Sequence, residues 1–129
     1  MNVRGSITLG AAVASTLAMA CGGGGTTPTP TPPPANTTTI TISNNAVSPK
    51  TITVSRGSQV TFINNDSRVH DMESNPHPEH TDCPEINQAG FLTPGQRRQT
   101  GNLNTARTCG YHDHENDTNT SLQGTITIQ

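Results

Sequence analysis

The chain has 129 residues, a formal net charge of −2 and three aromatic side chains, Phe62, Phe91 and Tyr111. That suffices for one domain with a small core and some appendages, and excludes a large enzyme fold. The charges form no long run of one sign, so there is neither a nucleic-acid-binding stripe nor a polybasic membrane patch, and no nucleic-acid partner is expected.

Arg4 followed by the small and apolar run Ile7 to Ala20 reads as an export signal, too short to span a bilayer. Ala18-Met19-Ala20-Cys21-Gly22 resembles the bacterial lipoprotein signal, although Ala18 stands where Leu is commonest and Leu17 lies one place earlier. Residues 1–20 are therefore expected to be a lipoprotein-type signal peptide, with Cys21 lipidated at the mature N-terminus; an ordinary signal peptide cut nearby is the alternative. Gly22 to Thr38 is a Gly, Thr and Pro tract without charge or apolar periodicity. Together with Cys21 it makes residues 21–38 a disordered tether rather than part of a core. The order implies an exported bacterial protein held by lipid in the periplasm or at the cell surface. With Cys21 lipidated, Cys83 and Cys109 remain, free to pair or to act separately.

Residues 39–129 read as a single folded domain. Thr39-Ile40-Thr41-Ile42, Thr51-Ile52-Thr53-Val54 and Thr125-Ile126-Thr127-Ile128 alternate as half-buried strands do, and Val60-Thr61-Phe62-Ile63 is a β-rich run. Ser48-Pro49, Arg56-Gly57-Ser58, Asn64-Asn65-Asp66 and Thr93-Pro94-Gly95 carry turn residues between them. No stretch has a helical period. The pattern predicts an all-β, Greek-key β-sandwich. Asp71 to Gly90, with Pro76, Pro78 and Pro84 among Asn, His and Glu, breaks the rhythm and reads as one long loop of the kind that carries function.

Copper that cycles between two oxidation states is well held by a thiolate, two imidazoles and a weak or absent axial group. Cys109-Gly110-Tyr111-His112 offers a thiolate and an imidazole three residues apart, expected on one tight loop, and His70 follows the Asn-Asn-Asp turn. Over Ile40 to Gln129 the chain resembles the cupredoxins, the family of plastocyanin, azurin and amicyanin. Val47 to Phe62 looks like the opening strands, Asn64 to His70 like the approach to the first His ligand, and Leu92-Thr93-Pro94-Gly95-Gln96 like the turn before the later strands. Cys109 to His112 matches the family's Cys and second His, and Gly124 to Ile128 its closing strand.

The resemblance implies one copper per chain on His70, Cys109 and His112. Leu122 stands where the family's axial Met usually sits, which implies a three-coordinate ion of raised reduction potential; His114, Met72 or Gln123 is the alternative approach to the metal. Asn65 is expected to brace the Cys-bearing loop from behind the ligands.

Plainer readings stand beside these. Cys109 pairs with Cys83 in a disulfide, which removes the thiolate site and leaves copper to the histidines alone. His77 and His80 are solvated loop residues, or form a second, weaker metal site with Glu79 and Asp82. The leading expectation is a monomeric one-electron carrier serving a redox partner protein through the edge of His112. Copper storage, sensing or delivery and a copper-free interaction module are the rivals. No carboxylate pair or base is placed for proton transfer, so no enzyme is expected.

Overall fold

A computed structural model describes residues 37–129. The expected signal peptide, the lipidation site Cys21 and all but the last two residues of the tether lie outside the described residues. Two sheets make up the domain. Strands β1 (Thr39–Ser43), β2 (Ala46–Ser48), β4 (Thr61–Asn64) and β7 (Arg97–Gln99) form the first, in the order β2-β1-β4-β7. The second contains β3 (Thr51–Val54), β9 (Gly124–Ile128), β8 (Arg107–Asp113), β5 (His70–Ser74) and β6 (Gly90–Leu92), in that order. The chain crosses between sheets after β2, β3, β4, β6 and β7, as a Greek-key sandwich requires.

The alternating runs become strands because one face of each can be buried. Ile40, Ile42, Ile52, Val54, Phe62 and Ile126 all lie in the core while their Thr neighbours face outward. Each such side chain contributes about 1.5–3 kcal/mol when fully buried. Phe62 and Tyr111 meet edge to face across the two sheets, with ring centroids 5.3 Å apart. Asn44 and Asn45 take φ of 50° and 59° in the hairpin between β1 and β2, a conformation that Asn tolerates well.

One predicted boundary is corrected. The first four residues of the expected Asp71 to Gly90 loop belong to β5, which pairs antiparallel with β8 through Met72 and Asp113, Glu73 and His112, and Ser74 and Tyr111. No alternation betrayed this strand because both its faces are covered: His70, Asp71, Met72 and Ser74 are all buried. From Asn75 to Ala89 the chain does run as a connection, interrupted only by a 3₁₀ turn at Ile86–Gln88.

Candidate metal centre

The Cys109-to-His112 segment is not a loop but the body of β8, and successive strand residues point to opposite faces. Cys109, Tyr111 and Asp113 therefore share one face and Gly110 and His112 the other. Two residues three apart on a strand cannot aim at one ion, which is the geometric reason that Cys109 and His112 do not converge.

Cys109 is bonded to Cys83, with Cα atoms 5.9 Å apart, and therefore has no thiolate to give a metal. His70 meets Asp113: its Nδ1 lies 2.8 Å from Asp113 Oδ2, while its Nε2 is 3.6 Å from Asp66 Oδ2. The expected ligand set His70, Cys109 and His112 is thus dispersed to a brace, a disulfide and a third place. Leu122 and Met72 are fully buried in the apolar core. Asn65 is exposed and uses its backbone N–H on Ile42. The bracing of the Cys-bearing segment expected of it is not made; its neighbour Asn64 instead ties the turn before β5 to β6, its buried Nδ2 donating to the carbonyls of Arg68 at 2.7 Å and Leu92 at 2.8 Å.

What converges instead is imidazole. His77, His80, His112 and His114 each offer a nitrogen, and these nitrogens all lie within 4.8 Å of one another. His112 comes from β8, and His114 from the 3₁₀ turn that follows it at His114–Asn116. That turn is capped by Asp113, which accepts the Glu115 N–H at 3.3 Å. His77 and His80 come from the connection after β5. The backbone N–H of Asn75 continues the β5–β8 ladder by donating to Gly110 O at 3.0 Å, and Asn87 Nδ2 donates to His80 O at 2.8 Å.

Outer partners face three of the four rings, as they do for histidines that bind metals. Asn75 Oδ1 lies 2.9 Å from His112 Nδ1, which calls for a proton there and leaves Nε2 with its lone pair. That Nε2 is buried and has no hydrogen-bond partner among the described residues. Glu73 Oε2 is 3.9 Å from His80 Nδ1, and Asp117 Oδ2 is 3.7 Å from His77 Nε2. The inward nitrogens of His80 and His114 approach to 3.2 Å.

Burial, then the neighbouring imidazoles, holds His80 and His112 below the ordinary histidine pKa, so both favour the neutral form that a metal needs. Beneath them burial and the charge of Asp71 push Glu73 up to about 7. Bonds to an imidazole-bound zinc are about 2.0–2.1 Å, so a tetrahedral set has nitrogens about 3.3 Å apart. The four donors need to draw together only modestly. A four-imidazole ion is a good fit to these residues and a thiolate-bonded copper is not.

The missed signal was parity. His112 and His114 are two apart, hence on the same side as β8 ends, whereas Cys109 is odd in relation to both.

The nine strands of the described residues, in this order, match the cupredoxin fold. The particular likenesses are distant ones. A purple cupredoxin from Nitrosopumilus maritimus is 19% identical, with a TM-score of 0.55 over 70% of this chain and 98% of its own. Oxidised plastocyanin from Dryopteris crassirhizoma is 19% identical with a TM-score of 0.55, covering 70% and 99%. A Cu(I) form of an amicyanin variant is 17% identical with a TM-score of 0.55, covering 70% and 80%. No protein-family model and no curated protein matches the sequence.

Proposed function

We propose that this domain is an exported copper-binding protein that holds one copper ion in the imidazoles of His77, His80, His112 and His114, and that it stores, senses or delivers copper. The observation that carries the reading is the convergence of four imidazole nitrogens within 4.8 Å, one of them buried and unpartnered. Imidazole suits copper and zinc alike, and at a given nitrogen site copper(II) binds more tightly than the other divalent first-row ions. The fold likeness to copper proteins favours the same metal. Copper bound here supplies a redox-active, all-nitrogen centre without the strong colour of a thiolate bond.

The Cys83–Cys109 disulfide supports an oxidising compartment outside the cytoplasm, in keeping with the export signal and with anchoring through Cys21. His112 is 2% exposed and is no electron-transfer edge; His77 is the exposed member of the group. A one-electron carrier is the second reading, favoured by the amicyanin likeness in its Cu(I) form.

The test is titration of the metal-free protein with Cu(II), with metal analysis and the nitrogen hyperfine pattern in electron paramagnetic resonance. One copper per chain on several imidazoles, abolished in His80→Ala/His112→Ala, is the expected result. Binding that survives this double variant refutes the site. Reversible voltammetry of the copper form separates a carrier of electrons from a carrier of copper.

A further inference from the structure

The four histidines lie on two stretches of chain, and the disulfide is the covalent link between those stretches. We infer that the Cys83–Cys109 bond licenses the site: the chain takes up its metal tightly only after that bond has formed. This inference rests on the four-histidine reading above.

Cys83 stands three residues after His80, and Cys109 three residues before His112. Without the bond, the pair His77 and His80 is joined to the pair His112 and His114 through β6, β7 and β8 as far as His112. With it, the covalent path between the pairs is a few residues long, and the second pair meets the ion at a much higher effective concentration. The other ties on this segment are non-covalent. They include the end of the β5–β8 ladder at Ser74 and Tyr111, hydrogen bonds made by Asn75, Ser74, Asn87 and Glu85, and a partly exposed ion pair between Glu85 and Arg107. Its apolar anchors are few: besides Cys83 itself, Ile86 and Ala89 are buried.

Both cysteines are almost wholly buried, at 1% and 0% exposure, so an oxidant reaches them only while the segment is open. The step is thiol–disulfide exchange with a small-molecule or protein disulfide. The two Cys thiols give up two electrons and two protons, their sulfurs join, and the oxidant leaves as two thiols. The segment then closes, the bond is shielded from reductants, and the histidines are gathered. A chain still in a reducing compartment lacks the assembled site and does not sequester metal there. By linkage, whatever factor the bond adds to metal affinity, bound metal adds to the disulfide's formation constant.

Zinc is the probe, because it is redox-silent and suits imidazole. Its affinity is measured on the oxidised full chain and on Cys83→Ala/Cys109→Ala, with circular dichroism to verify the fold. In parallel, the disulfide of the wild-type chain is equilibrated against reduced and oxidised glutathione with and without zinc. The expected results are at least tenfold weaker zinc binding in the double variant, and a shift of the glutathione equilibrium toward the disulfide by a similar factor. His77→Ala/His80→Ala should abolish that shift. A folded double variant that binds zinc within threefold of wild type overturns the inference. So does a glutathione equilibrium that zinc leaves unmoved or drives toward the dithiol, the direction that capture by free thiols gives. The glutathione arm decides the matter should the double variant fail to fold. Oxidised wild type that binds neither zinc nor copper refutes the site itself; a site that binds but ignores the disulfide refutes only the licence.

Discussion

Gly110→Ala probes how the centre is held, and its sign should depend on the residue at position 75. Gly110 lies within β8 and outside the positive-φ glycines, so alanine meets no backbone strain there. On its own the exchange would stabilise the chain by about 0.4–1 kcal/mol through the unfolded state. The new methyl, however, runs into Asn75 Nδ2, with Cγ only 3.0 Å away. The Asn75 backbone is tied, donating to Gly110 O at 3.0 Å and accepting from Asp82 N at 2.8 Å, so only its side chain can move. Moving it breaks the 2.9 Å bond to His112 Nδ1 and leaves that nitrogen buried. The penalty is about 1–3 kcal/mol for the orphaned group, with a loss of about 10–100-fold in metal affinity once the outer partner is gone. Asn75→Ala alone should bring a similar loss, and Gly110→Ala in that background should become neutral or slightly stabilising. Urea unfolding of the metal-free proteins and competition titration with zinc read both quantities across the double-mutant cycle. Equal costs of Gly110→Ala in the two backgrounds would show that the methyl is accommodated without displacing Asn75.

Glu73 is pushed up to about 7 by burial and the charge of Asp71, so its stabilising protonated form is fully present below its ordinary value of 4.5 and lost as pH rises through 7. Glu73→Gln in the metal-free protein should therefore gain about 1–2 kcal/mol over wild type at pH 8, a figure discounted for solvent access, and nothing at pH 4; equal unfolding midpoints at pH 8 would contradict this. His80 and His112 are held below their ordinary value, so their contribution is present above it and lost as pH falls, and metal-free stability should decline on acidification through the histidine range. Asn64→Ala should cost about 2–3 kcal/mol by stranding the carbonyls of Arg68 and Leu92, measured by thermal unfolding with metal binding unchanged. Stripping the metal with a chelator should lower the midpoint reversibly, since free ion at a hundredfold over its dissociation constant adds about 2.7 kcal/mol.

The sandwich was legible because the Thr/Ile and Thr/Val runs alternate, and because only one face of β1, β3 and β9 is wet. β5 was not, since His70-Asp71-Met72-Glu73-Ser74 has a single apolar residue and is covered on both faces, which leaves no alternation to read. Sequence reasoning named all four imidazoles but assigned them to three different roles. His112 was grouped with Cys109 by spacing and by the cupredoxin resemblance, and neither says anything of facing until the backbone is known to be extended. Had Cys109 to Asp113 been read as a strand continuing through the buried Tyr111, the opposite faces of Cys109 and His112 would have followed at once. The pairing of Cys83 with Cys109 was an open alternative, because two cysteines in an exported chain carry no mark of whether they join.

β8 ends in a way that ties its two faces together. On the inner face Asp113 accepts from the Asp71 backbone at 2.8 Å through Oδ1 and approaches His70 Nδ1 at 2.8 Å through Oδ2, fastening β5 to β8. The same Oδ1 accepts the Glu115 N–H and so starts the 3₁₀ turn that presents His114. His70 is thus consumed by a brace whose consequence appears on the other side of the sheet, where the turn sets His114 beside His80. An aspartate at the end of β8 does with hydrogen bonds what the resemblance had assigned to a copper ion. The imidazole chemistry is gathered on the opposite face, under the proline-rich connection, where a donor set made entirely of nitrogen can form.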